Sequence, residues 1–229
     1  MTLGTPRLHL RATDSTNLRA RELAAAGAPH GTLVTATAQH AGRGRQGRAW
    51  TASAGRSLLM SVVVRDPTPL LSLTAAVAVA DVVGEAAQIK WPNDVLVGGR
   101  KVCGILAEGR PQEGWAVLGI GLNVALRPED LPEELRERAT GLGLEPGDVE
   151  RVLSELLRAL DARLRSTDAD VLDAWRARDW LAGREIAWNG GRGVADGVDA
   201  AGHLLVRTEG GERVALDAGE VHLERLPLS

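Results

Sequence analysis

Phenylalanine and tyrosine are absent from this 229-residue chain, so leucine, valine, alanine and six tryptophans must fill its interior. Hydrophobic residues make up 44%, enough for one good-sized domain or for a domain plus a small module. The scarcity draws attention to Trp50 and Trp91, each beside a Gly- or Pro-containing motif, where a large flat side chain either covers a ligand or fills core. Cysteine occurs once, at Cys103, which excludes an internal disulfide and any multi-cysteine zinc site. Cys103 lies in KVCGIL, which reads as a buried strand, and the five histidines offer neither an evident activating partner nor a metal-ligand spacing. A charge excess is lacking too. The net charge is −3 and one basic cluster stands alone, which argues against a nucleic-acid partner. No apolar leader opens the chain and no apolar run approaches the roughly 18 residues of a membrane span, so a soluble, cytoplasmic protein without a membrane partner is expected.

What is present is concentrated in QHAGRGRQGRAW, residues 39–50, which sets Arg43, Arg45 and Arg48 among Gly42, Gly44 and Gly47. Glycines let a backbone take positive φ and approach a ligand closely, while guanidiniums offer paired donors to phosphate or carboxylate oxygens. Taken literally, these glycines match G-x-G-x-x-G after the strand-like TLVTATA. A dinucleotide site of that kind needs a helix to open within the motif and hold the pyrophosphate on its amides. Here RAWTASAGR follows and then the strand-like SLLMSVVV, so a dinucleotide site is set aside.

A helix is predicted from Ser15, as its cap, through NLRARELAAAG to Gly27. Strands are predicted near 32–38 and 57–64, and a buried helix over 69–85, where Ala, Leu and Val fall on nearly every side. Short strands are expected around QIKW, VLVGG, RKVCGILAE and WAVLGIGLNV, with Gly98-Gly99 marking a tight hairpin. From Pro128 to about Trp180 the spacing is helical, with Val149, Val152, Leu153, Leu156, Leu157 and Leu160 forming an apolar face. After Gly183 the short, glycine-punctuated strands predict a small antiparallel barrel, with a boundary near residues 181–184.

Four further segments accompany the arginine loop: DSTN (14–17), KWPNDV (90–95), GRKVCGILAE (99–108) and GIGLNV (119–124). Together and in this order they resemble the biotin–protein ligases, through specific motifs over about residues 10–125 and by texture alone in the tail. The resemblance implies an α+β fold of the class II biotin/lipoate ligase kind. A mixed, largely antiparallel central sheet flanked by helices would span residues 1–182 as the catalytic domain, and a small SH3-like β-barrel residues 183–229. It also implies an ATP-dependent ligase that converts biotin to biotinyl-5′-AMP with release of pyrophosphate. The acyl group then passes to a lysine of the biotin carboxyl carrier protein domain of acetyl-CoA carboxylase, with Mg²⁺ on the triphosphate. Since DSTN begins at residue 14, the short monofunctional type without an N-terminal DNA-binding domain is expected, as a homodimer.

The first step must bring a carboxylate to an α-phosphate, and two unit charges roughly 4 Å apart repel by about 4 kcal/mol at an effective dielectric near 20. Arg43, Arg45, Arg48 and Lys101 are the cations that would offset this. Gly42 and Gly44 would let the loop admit ligand and close, with Trp50 at its far end, keeping water from a labile mixed anhydride. By the resemblance, Ser15 and Thr16, with Asn17 beside them, and Gln39 would satisfy the ureido head of biotin, although Ser15 also reads as a plain helix cap. Lys101, Arg45 and Asp94 are the catalytic candidates. The family counterpart of Lys101 contacts biotin and the adenylate phosphate; the alternative is an exposed hairpin lysine. Asp94, across the hairpin from Lys101, would orient it, bind Mg²⁺, accept the proton of the incoming lysine, or satisfy turn amides, and the sequence leaves all four open. Gly104 fits a close backbone approach and Asn123 resembles a residue near the adenine, though both also fit packing roles. No covalent enzyme nucleophile is implied. The rivals are a lipoate or octanoate ligase of the same fold, against which KWPNDV and GRGRQGRAW favour biotin, and a non-catalytic regulator, which would leave the arginine loop and Lys101 unexplained.

Overall fold

The structure is a computed structural model that describes residues 3–217 and 221–223; residues 1–2, 218–220 and 224–229, which include the ends of the predicted tail, lie outside the described residues. The chain runs through β1 (Arg7–Thr13), α1 (Thr16–Ala25), β2 (Leu33–Gln39), β3 (Ser57–Arg65), α2 (Leu71–Val83), β4 (Ala87–Lys90), β5 (Asp94–Val97), β6 (Arg100–Arg110) and β7 (Trp115–Asn123). These strands form one seven-stranded sheet in the order β1-β2-β3-β7-β6-β5-β4, antiparallel except for β1 with β2. Strand β1 is absent from the sequence reading. Its residues, RLHLRAT, are mostly exposed at the sheet edge, so burial imposes no apolar alternation on them.

The central strands read as unbroken apolar runs because both of their faces are covered. In β3, Leu58, Met60, Val62 and Val64 enter the main core, while Val63 joins a second cluster with Ala20 and Ala24 of α1. On the main-core side, α2 lies between the sheet and two further helices, α4 (Val149–Leu164) and α5 (Asp168–Arg176); a single turn, α3 (Glu133–Arg136), precedes them. A middle layer has little solvent face, which is why α2 carries buried, mostly apolar residues on nearly every side over Leu71–Ala80. Helix α4 instead buries Val152, Leu153, Leu156 and Leu160 and leaves its charged positions in water. No helix among the described residues is long and apolar enough to cross a membrane.

The tail supplies β8 (Glu185–Trp188), β9 (Gly191–Val198), β10 (Leu204–Thr208), β11 (Arg213–Leu216) and β12 (His222–Leu223), in the order β11-β10-β9-β8-β12. The predicted SH3-like barrel is therefore corrected to an open five-stranded sheet. Strands β11 and β12 stand at opposite edges without pairing among the described residues, and β12 is bound to β8 over only two residues. Closure is not needed to cover the apolar face. Ile186, Val198, Leu204 and Val206 belong to the same contiguous core as Leu70, Leu73 and Trp91. Trp91 Nε1 donates to Gly202 O at 3.0 Å, and Gly202 (φ +84) sits so close that a Cβ there would lie 2.9 Å from Leu70 Cδ2.

One shared core predicts one transition. Ile186→Ala, at a fully buried site, should lower the stability of the whole chain by about 2–5 kcal/mol. Denaturant unfolding followed separately through secondary structure and tryptophan fluorescence should stay coincident; a tail that melts alone would contradict the shared core.

Candidate functional site

On the face of the sheet that carries α1, paired residues stand in rows: Ser61, Gly119 and Leu106 in one, Leu59, Gly121 and Gly104 in the next. Three glycines in two rows leave a trough. A Cβ on Gly119 would lie 2.0 Å from Asn17 Oδ1, one on Gly121 2.5 Å from Trp50 Cε2, and one on Gly104 2.8 Å from Trp50 Cζ3. The cavity over this trough encloses about 970 Å³ of empty space, part of it open to solvent. Its wall takes side chains from α1, the arginine loop, the β4–β5 turn and Lys101.

At the buried end, Gln39 Oε1 accepts from Thr16 N at 2.7 Å and from Thr16 Oγ1 at 3.0 Å. Ser61 Oγ, wholly buried, lies 2.8 Å from Thr16 Oγ1 and 2.6 Å from Asn17 Oδ1. Each hydroxyl has one proton. Ser61 must give its own to the Asn17 oxygen, so the Thr16 proton serves either Gln39 or Ser61 and the remaining lone pairs can accept from a ligand. Ser15 also lines the cavity. It occupies the N-cap position of α1 with extended backbone (φ −155), but its side chain makes no capping hydrogen bond, so the predicted cap is positional only.

The arginine loop is a small hairpin. Trp50 N donates to Gly42 O and Gly44 N to Arg48 O, both at 2.8 Å, around a 3-10 turn over Arg45–Gly47. Its glycines serve different ends: Gly47 takes φ 76 at the turn, whereas a Cβ on Gly42 would lie 2.4 Å from Trp50 O. Arg43, Gly44, Arg45, Arg48 and Trp50 reach the cavity wall, and Gly42 does not. The Trp50 indole lies over Gly104 and Gly121, with Lys101 Nζ 5.5 Å from its ring centre, a cation–π contact. Trp50 Nε1 is buried without a hydrogen-bond partner among the described residues.

Lys101 is held from several sides. Gly98 (φ 57) and Gly99 (φ 73) form the tight hairpin, and Lys101 Nζ meets Asp94 Oδ1 at 2.6 Å across it. Asn93 anchors the preceding turn through Nδ2 to Ile105 O at 2.7 Å. The backbone of Lys101 donates to Arg138 O (2.8 Å) and accepts from Thr140 N (2.9 Å). Asn123 is not on the cavity wall, where the resemblance would have it. It is 4% exposed, accepts from Ser57 Oγ and donates to Thr140 O at 3.1 Å, and so braces the segment that grips Lys101. Cys103 points into the main core, and burial pushes its thiol pKa up.

Ser61, Gly119, Gly121, Lys90 and Glu108 also belong to the site or its support and were missed. A serine inside SLLMSVVV and two glycines spaced by two in GIGLNV were the available signals, since neither suits a plain core strand. Lys90 lines the cavity with its ammonium 5.8 Å from the Trp180 ring centre. No group of three or more His, Cys, Asp or Glu among the described residues could hold a metal ion.

The chain matches the family model for the biotin/lipoate A/B protein ligase family over residues 10–124, and that for the biotin protein ligase C-terminal domain over 183–223. It is 37% identical to the biotin–[acetyl-CoA-carboxylase] ligase of Mycobacterium tuberculosis over 91% of this chain and 85% of that protein. It is 42% identical to the bifunctional ligase/repressor BirA of Bacillus subtilis over 66% of this chain, a match that spans about half (51%) of that protein's length. Among solved structures, the biotin protein ligase from Aquifex aeolicus in complex with biotin and ATP superposes with a TM-score of 0.80 at 29% identity, covering 97% of this chain and all of that one.

The placement of Cys103 predicts that iodoacetamide at about pH 8 leaves the folded protein unmodified and adds one adduct once it is unfolded. Rapid alkylation of the folded protein, read by mass spectrometry, would contradict that placement.

Proposed function

Because the chain belongs to the biotin/lipoate A/B protein ligase family, we propose that it activates biotin with ATP as biotinyl-5′-AMP and transfers the biotin to a lysine of a carboxylase carrier domain. The observation that carries this reading is one cavity with a buried polar end and a cationic rim. Thr16, Gln39 and Asn17, the first and last braced from behind by Ser61, form the former; Arg43, Arg45, Arg48 and Lys101 supply the latter. A ureido ring has N–H groups for the oxygens at the buried end. A dithiolane or an alkyl chain would cover the same oxygens without bonding them, at a cost of about 1–3 kcal/mol for each unmet group, which favours biotin over lipoate or octanoate.

In the first step the rim cations would bring the biotin carboxylate against the α-phosphate and take up charge as pyrophosphate leaves. Lys101, held at 2.6 Å by Asp94, is assigned to the carboxylate–phosphate junction. Its partner Asp94 is assigned to orienting it. Trp50, lying across the glycine trough, would shield the adenylate from water. In the second step the acceptor amine attacks the acyl carbon and AMP leaves. Magnesium would arrive on the triphosphate, with phosphate oxygens and water supplying most of its ligands. Asp94, the one carboxylate among the described residues of the cavity wall, is already paired, so the protein's donors do not build a resident metal site. In this reading residues 1–182 are the ligase unit and 183–229 an accessory one. The protein works as a cytoplasmic homodimer whose acceptor is the carrier domain of acetyl-CoA carboxylase.

Biotin-dependent exchange of labelled pyrophosphate into ATP tests the first step, and biotin transfer to a carrier domain the second. Exchange supported by lipoate but not by biotin would overturn the reading. Lys101→Ala should lower kcat/KM by about 10²–10³-fold, the scale of losing one preorganised charge-stabilising donor, and transfer at the wild-type rate would remove Lys101 from its role.

A further inference from the structure

Glu108 follows Leu106 by two positions on the cavity-side face of β6 and is paired with Val117. Its Oε2 accepts from Asn17 Nδ2 at 3.0 Å, while its Oε1 stands 3.5 Å from Arg21 Nη1 and 3.6 Å from Arg43 Nη2. One carboxylate thus touches the buried polar network, the outer part of α1 and the first arginine of the hairpin. We propose that Glu108 is a positioning residue that clasps the arginine hairpin to Asn17, so that the seating of the loop and the arrangement of the buried polar network depend on one another. What the cavity holds rests on the ligase reading; the clasp itself does not.

The distances give the clasp a direction. The bond from Asn17 is short and has a charged acceptor, whereas the approach of Arg43 is longer and its side chain is about half exposed, where an isolated ion pair contributes little. Asn17 therefore fixes the carboxylate, and the fixed carboxylate spares Arg43 part of the entropy of pairing. Asn17 is in turn fixed by Ser61 and by the absence of a side chain at Gly119. Two guanidiniums share one carboxylate, so the group as a whole stays cationic and Arg43 can still attract an anion in the cavity. A ligand that bonds to the polar network would then steady the loop through Asn17 and Glu108 without touching the loop.

Glu108→Gln keeps an oxygen for Asn17 and removes the charge that holds Arg43. Limited trypsin digestion of the ligand-free, 229-residue protein should cut after Arg43, Arg45 and Arg48 about threefold faster in this variant, at an unchanged thermal midpoint. Glu108→Asp, with the carboxylate drawn back by one methylene, should fall between. Arg21→Gln leaves Glu108 to Arg43 and should cut at the wild-type rate. Equal cutting of wild type and Glu108→Gln, or the same acceleration in Arg21→Gln, would overturn the clasp. In pyrophosphate exchange Glu108→Gln should raise the KM for biotin by more than it lowers kcat. A wild-type protein with no biotin-dependent exchange would sink the ligase reading alone, and the tryptic comparison would still decide the clasp.

Discussion

Steric room above the central strands is the constraint on which the site depends. Strands β3, β7 and β6 must fill a core on one face, and they do so with Leu58, Met60, Leu118, Ile120, Leu122 and Ile105. On the other face the same strands are stripped at Gly104, Gly119 and Gly121, where any Cβ would strike Asn17 or Trp50. A rigid, apolar-backed sheet with bare backbone on its working side offers a ligand a floor that does not move. The strands that stabilise the fold are therefore the strands that shape the cavity, and a change in either face is felt in the other.

Around that floor the supporting contacts form a chain rather than a ring of independent residues. Ser61 sets Asn17, Asn17 sets Glu108, and Glu108 stands beside Arg43 of the hairpin. On the opposite side Asn123 holds Thr140, and Thr140 with Arg138 holds the backbone of Lys101, whose ammonium is fixed by Asp94. Buried neutral groups thus position Asn17 and the Lys101 backbone, while the carboxylates Glu108 and Asp94 meet the cations themselves. The open tail sheet contributes through Trp91, which leaves the β4–β5 turn to bond Gly202, and so ties the turn bearing Asp94 to the shared core.

Much of this was legible in local pattern. The hairpin at Gly98-Gly99 brought Asp94 to Lys101 because two adjacent glycines at positive φ permit one tight turn and little else. The arginine loop lacked the helix a dinucleotide site requires, and it forms a hairpin instead. Other features were hidden for physical reasons. The edge strand β1 carries no burial pattern. For Ser15 the sequence offered two readings, helix cap and ligand contact, and it lines the cavity at the helix start without a capping hydrogen bond. Asn123 shares the working face of β7 with Gly119 and Gly121, but its bonds to Ser57 and Thr140 draw it into support.

The residues alone decided the kind and order of most secondary elements, the edge strand β1 excepted, the exclusion of an internal disulfide, and the grouping of arginines, lysine and glycines that marks the family. These follow from periodicity, turn chemistry and residue type, which act over a few positions. Tertiary structure decided which glycines form the floor, whether Trp50 fills core or covers the cavity, which polar groups meet at Ser61, and that the tail stays an open sheet on a common core. Those outcomes depend on contacts such as Asn17 with Glu108 and Trp91 with Gly202, between segments far apart in the chain, and no local spacing encodes them.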